Sequence, residues 1–212
     1  MSVFLDEDQL GRDPAIIGFP HLLLCMGFVL RTTTGLWGAH LTAPSASEPT
    51  VQAMRTWARM MHGLNIGTVT HLFGCCQRLH RYNVTDADAA KAAWMKEMSA
   101  LAHILGYTGR AYGFCTSILP TADGHYVEYH HDAASYGARV YYGRDIDVRG
   151  HRAVNHNVVM RDGTESVVKW NEQQSTFIQA ARHKPLPDPN PGDFRGHLAE
   201  LDYVLRMEHI IL

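Results

Sequence analysis

From residue 22 to residue 41 two apolar runs flank a short polar link. The chain reads Leu22-Leu23-Leu24-Cys25-Met26-Gly27-Phe28-Val29-Leu30, then Arg31-Thr32-Thr33-Thr34-Gly35, then Leu36-Trp37-Gly38-Ala39-His40-Leu41. That pattern predicts a β-hairpin. Residues 13–42 as a whole read as strands, with Asp13-Pro14 as a turn before Ala15-Ile16-Ile17. The period then lengthens. Ser47 is placed to cap a helix whose first turn holds Glu48 and Pro49. Val51, Met54, Ala58 and Met61 recur at helical spacing, and Gly63 closes the run.

Residues 66–73 form an apolar stretch of strand length that ends in Gly74-Cys75-Cys76. A second helix is predicted from Thr85, where Thr85-x-x-Asp88 has the form of a capping box. Its apolar face is Ala90, Trp94, Met98, Leu101 and Leu105, and Gly106 ends it. Residues 107–117 read as a strand, and residues 126–129 and 138–142 as a hairpin. After residue 145 the signal weakens. Residues 158–160 and 166–169 flank Asp162-Gly163 and predict one more hairpin. Pro185, Pro187, Pro189 and Pro191 predict a stiff, extended linker, and residues 198–211 a terminal helix. Strands and helices in this order predict an α+β sandwich. The division is a domain over 1–145 and a C-terminal extension over 146–212.

At 212 residues the chain is long enough for a sizeable core, and 46% of it is hydrophobic. A net charge of -2 gives no argument for nucleic acid as partner. No apolar stretch is long enough for a helical membrane span, since residues 16–30 are interrupted by Pro20, His21 and Gly27. The first residues are acidic where a secretory signal is basic. Four cysteines at irregular spacing do not make a disulfide framework. The expectation is a cytoplasmic protein, or one exported by a leaderless route.

The hairpin returns the chain on itself, so Cys25 and His40 lie near the open ends of neighbouring strands. A thiol within reach of an imidazole is the minimum equipment for nucleophilic acyl chemistry. The alternative is a buried structural cysteine beside a histidine that hydrogen-bonds at a strand end.

Four stretches carry a resemblance: Asp13-Pro14-Ala15-Ile16-Ile17 leading to Cys25; Gly35-Leu36-Trp37-Gly38-Ala39-His40-Leu41-Thr42-Ala43-Pro44; Val69-Thr70-His71-Leu72-Phe73-Gly74-Cys75; and Tyr126-Val127-Glu128-Tyr129 followed by Ala138-Arg139-Val140. Over residues 13–145 this order resembles the chemoreceptor glutamine deamidase family CheD. That family shares its Cys-His site and core sandwich with the catalytic domain of the cytotoxic necrotizing factors. The resemblance implies an α/β/β sandwich with two helices packed on a mixed sheet, Cys25 as nucleophile and His40 as base. It implies an amidohydrolase that converts a Gln or Asn side-chain amide of a partner protein to a carboxylate, with no cofactor and no metal. Either a chemoreceptor-modifying enzyme or a secreted bacterial effector fits this. Two positions depart from the family: Leu22-Leu23-Leu24-Cys25 replaces its Leu-Gly-Ser-Cys, and Phe19 replaces a Thr six residues before the Cys.

Two readings compete. One is a non-catalytic CheD-like protein-binding module. The other is a zinc-dependent hydrolase, because His71, Cys75, Cys76 and His80 have metal-ligand residue types. Adjacent cysteines on a strand point to opposite faces, which speaks against one shared ion.

Overall fold

In the computed structural model, β4 (Met26–Thr32) and β5 (Gly35–Leu41) form the hairpin, pairing from Met26↔Leu41 to Thr32↔Gly35. Gly35 closes it at φ +144, a backbone conformation that L side chains rarely adopt. The residues described are 3–42, 44, 47–120, 124–132, 137–148, 167–171, 174, 176–179, 199–200 and 208–210.

Both hairpin strands are buried along their whole length, because they lie inside a sheet covered on both faces. Five further strands of that sheet are β2 (Gln9–Asp13), β6 (Val69–Cys76), β7 (Arg110–Cys115), β10 (Val167–Asn171) and β11 (Thr176–Gln179). With β13 (Glu208–Ile210) the order is β11-β10-β2-β5-β4-β6-β7-β13, with β6 and β7 parallel. A second sheet runs β1 (Val3–Phe4), β3 (Ile16–Leu22), β8 (His125–Asp132), β9 (Gly137–Arg144) and β12 (Ala199–Glu200), with β1 and β3 parallel.

Strand alternation divides the core in two. Met26, Phe28, Leu30, Trp37, Ala39 and Leu41 pack with Met54 and Trp57 of α1 (Glu48–His62) and with Trp94, Met98 and Leu101 of α3 (Ala87–Ile104). On the other face, Cys25, Val29, Leu36, Phe73, Cys75 and Phe114 pack with Ile17, Phe19, Val127, Tyr129 and Val140 of the second sheet. The protein is therefore α+β, with a helix layer, an eight-stranded sheet and a five-stranded sheet stacked in that order.

Helix boundaries follow local chemistry. α1 starts after Ser47, whose hydroxyl bonds Thr50 Oγ1 rather than a backbone N–H, and stops at Gly63. Its buried face is Ala53, Met54, Trp57, Ala58 and Met61; Trp57 completes it, and Val51 is only half-buried. The cap of α3 is Asp86, not Thr85: its carboxylate accepts from the Ala89 N–H at 2.6 Å. A short helix, α2 (Arg78–Tyr82), precedes it and had no sequence signal.

Several expectations are corrected. Leu23, Leu24 and Cys25 belong to a bend between β3 and β4, so Cys25 sits just before the strand rather than in it. The strand expected at 66–73 runs from Val69 to Cys76, and the one expected at 107–117 ends at Cys115, followed by a 3-10 turn at Thr116–Ile118. Strands stand at 199–200 and 208–210 where a helix was expected, because Glu208, His209 and Ile210 complete the open ladder of β7. The expected arm at 158–160 and the proline run at 185–191 lie outside the described residues. β10 takes β11 and β2 as partners, and α4 (Asp145–Val148) follows β9.

Candidate functional site

His40 faces Gly27 across the hairpin, and Cys25 lies two residues before Gly27, so the side chains share one face. Both point into the layer between the sheets, Cys25 4% exposed and His40 0%. Gly27 makes the packing possible. A Cβ there would stand 2.5 Å from Phe19 Cδ2 and 2.8 Å from Cys75 Sγ. Phe19 uses that space to set its ring edge-on to His40, centroids 6.1 Å apart. The position where the resembled family has a Thr thus holds an aromatic wall.

The orientation of His40 comes from elsewhere. Its Nδ1 lies 2.6 Å from the carbonyl oxygen of Leu5, while the His40 carbonyl accepts from the Asp8 N–H at 2.9 Å. A carbonyl only accepts, so Nδ1 carries the proton and Nε2 presents its lone pair in the neutral ring. Nε2 is buried and has no hydrogen-bond partner. Burial holds the imidazole below its ordinary pKa, against the raising influence of the Leu5 contact and of Glu7 and Asp6. At neutral pH this ring is an uncharged base.

Cys25 is held in the opposite state. Its thiol donates to Glu7 Oε1 at 3.5 Å, not to His40. Burial and the Glu7 carboxylate push the thiol up to about 12. Glu7 belongs to an acidic loop, Asp6-Glu7-Asp8, that ties onto the hairpin ends: Asp8 accepts from Thr42 Oγ1 at 2.7 Å. The segment read only for its lack of a secretory signal therefore contributes a carboxylate to the site.

A buried guanidinium fixes the two strand ends. One nitrogen of Arg81 donates to the Leu24 carbonyl at 2.9 Å and to the Leu41 carbonyl at 3.0 Å. These residues immediately precede Cys25 and follow His40. Arg81 is itself paired with Glu97 through two bonds, 2.8 and 2.6 Å, and Tyr82 also donates to Glu97. Glu97 sits on the buried face of α3, where it breaks an apolar pattern; that was the available signal, a carboxylate in phase with Trp94, Met98 and Leu101.

The same end of the sandwich carries the exposed large apolar side chains found among the described residues. They are Leu24, Ile118 and Ile146, 57%, 43% and 49% exposed. Leu24 adjoins Cys25; Ile118 follows β7, whose Cys115 lines up with Cys76 and Met26; Ile146 follows β9, whose Arg144 lines up with His125 and Leu22. His21 stands at this end too, at φ 57, its ring 3.0 Å from the buried Asp145 carboxylate.

The metal-ligand types in 71–80 are not brought together. Cys75 packs between the sheets and Cys76 against the helices, while His71 stacks on Tyr112. Among the described residues no group of three His, Cys, Asp or Glu could hold a metal ion. His125 is buried between Thr116 Oγ1 at 2.6 Å and the Pro120 carbonyl at 3.1 Å.

A scan against protein-family models and a search of the curated proteins find no match to this chain.

Proposed function

We propose that the chain is a cysteine-dependent protein glutamine or asparagine deamidase of CheD-like type, with Cys25 as nucleophile and His40 as base. The observation that carries this reading is the unpartnered Nε2 of His40, buried on the face that Cys25 shares. A buried ring nitrogen without a partner is costly, about 1–3 kcal/mol, and calls for a role that repays it. The α/β/β layering and the apolar rim at the Cys25 end support the same reading, the rim as a surface for a protein substrate.

The chemistry runs as follows. His40 Nε2 takes the thiol proton, and the thiolate attacks the side-chain carboxamide carbon. The tetrahedral oxyanion collapses, the C–N bond breaks, and His40 returns the proton to the leaving ammonia. Water adds to the thioester with His40 as base, releasing carboxylate and free thiol. The described residues contain no cis peptide, so the Leu24–Cys25 peptide is trans. With Leu24 O turned to Arg81, the Cys25 N–H points away from Arg81 and is available to the oxyanion. The acidic loop must shift first, because Glu7 holds the thiol protonated.

The same contact favours a second reading, a non-catalytic protein-binding module in which Cys25 is a capped structural thiol. Alkylation with iodoacetamide at neutral pH, read residue by residue by mass spectrometry, separates the two. The deamidase reading expects Cys25 to label faster than Cys115 once Glu7 is changed to Gln, and His40→Gln to abolish that gain. Labelling of Cys25 no faster than Cys115 in both backgrounds leaves the binding module.

A further inference from the structure

The opposite end of the intersheet layer holds a buried cation with no counter-ion among the described residues. Arg31 lies on β4 six residues beyond Cys25, about 20 Å along the strand. It is 4% exposed, and its side chain falls on the face that meets the second sheet. A guanidinium stays protonated in any protein environment. Yet Arg31 forms no ion pair among the described residues, and its buried Nε has no hydrogen-bond partner. Asp13, the carboxylate in the same cross-strand row, stands two strands away and accepts from the Ala15 and Ile16 N–H groups instead.

Among the described residues, the groups that face Arg31 are neutral or positive. Its cross-strand neighbour is His71, and Arg110 is next in the row. From the second sheet the hydroxyl of Tyr129 meets the guanidinium, and His131 follows it along β8. Tyr112 stacks on His71 with centroids 5.5 Å apart. His71, Tyr112 and His131 are half-buried, so the Arg31 guanidinium lies just beneath a partly solvent-exposed rim.

A β-bulge builds this corner. Pairing skips from Arg31↔His71 to Thr32↔Val69, leaving Thr70 extra. Bulges re-aim side chains. Thr70 Oγ1 donates to the Arg31 carbonyl at 3.3 Å and so accepts from His71 Nδ1 at 3.0 Å. That turns the Nε2 edge of His71 away from Thr70.

We propose that this corner is a binding site for a small oxyanion of phosphate or carboxylate type, held by the guanidinium of Arg31 with His71 and Arg110 beside it in the same cross-strand row. An arginine fork matches both anions in geometry, and a buried guanidinium without a counter-charge is the costly state that such a ligand relieves. The site is separate from the Cys25–His40 pair and does not depend on deamidase activity.

The test uses the full chain, dialysed into chloride, titrated with sodium phosphate and separately with sodium acetate at fixed ionic strength. Calorimetry and thermal melting give the readout. Saturable binding of either anion, with a matching rise in Tm, is expected, and the comparison identifies which chemistry the site prefers. Arg31→Met should weaken that anion at least tenfold and leave the unliganded Tm unchanged or higher, because an uncompensated buried charge is gone. Arg31→Lys should fall between, keeping charge without the fork. If Arg31→Met does not fold, Arg31→Lys and His71→Phe decide: both should fold and bind several-fold more weakly. No saturable binding of either anion by about 50 mM, or equal binding by wild type and the Arg31 and His71 variants, overturns the proposal.

Discussion

The Nδ1–H of His40 donates to the carbonyl oxygen of Leu5 across 2.6 Å, joining the base of the proposed site to the start of the acidic loop. One contact therefore sets the tautomer of the imidazole and the position of Glu7 two residues later. A shift of the loop would therefore also move the group that orients the imidazole.

Glu7 is the first place to test that link. Burial is the larger cause of the raised Cys25 pKa, and the Glu7 carboxylate is the next. Replacing Glu7 by Gln removes a negative charge beside the thiol, so the thiolate becomes easier to form. Cys25 should alkylate about 3- to 30-fold faster at pH 8, the range expected for roughly half to one and a half pKa units. A rate identical to wild type would show that the carboxylate does not control the thiol.

Arg81 and Glu97 should behave as a unit. Glu97→Gln leaves a buried guanidinium without its counter-charge, and a loss of about 3–5 kcal/mol is expected in urea denaturation. The double variant Arg81→Met, Glu97→Leu should lose less than the single variant because no charge is stranded. In the double variant the Leu24 and Leu41 carbonyls lose their donor, so Cys25 reactivity should change even where stability recovers.

The parts of this site differ in how legible they were. The hairpin announced itself, because two apolar runs around Thr33-Thr34-Gly35 have few other ways to be buried. α1 and α3 were readable from their period. Arg81 was not, since its partners Leu24, Leu41 and Glu97 are distant in sequence and two of them act only through backbone carbonyls. β2 was also missed: Gln9-Leu10-Gly11-Arg12-Asp13 offers a single large apolar side chain, and it becomes a strand because β5 supplies a ladder. The same holds for β13 against β7. The pairing of strands this poor in large apolar side chains follows from tertiary context more than from composition.

Buried histidines set a pH dependence. Burial holds His40, His71 and His125 below the ordinary imidazole value of about 6.5. Below that value the unfolded chain binds more protons than the folded one, so their stabilising contribution is present above 6.5 and is lost as pH falls toward the folded pKa values. Tm should drop between pH 7.5 and pH 5. His125→Gln should flatten that slope whatever it does to Tm itself. Asp13, whose carboxyl is raised by burial, acts in the opposite sense at lower pH and cancels in the comparison. An unchanged slope in His125→Gln would assign the effect to other groups.

Gly27 should not tolerate a methyl group. The added Cβ meets the Phe19 ring and the Cys75 sulfur well inside contact distance, and overpacking of this kind costs about 1–3 kcal/mol. Gly27→Ala should lower the urea midpoint. Gly27→Ala with Phe19→Leu should recover part of the loss, since the ring is what must yield.

The pairing of β13 with β7 has a consequence for synthesis. β7 takes β6 as its partner on one side as soon as both have emerged, but its other edge waits for Glu208, His209 and Ile210. During the seconds in which the ribosome makes the intervening chain, that edge offers unsatisfied N–H and C=O groups to any strand nearby. The Arg78–Glu208 bond, 2.8 Å, latches the last arrival to α2. A nascent chain stalled before residue 208 is thus the form most exposed to sticking to its neighbours, and the one for which a chaperone would matter most.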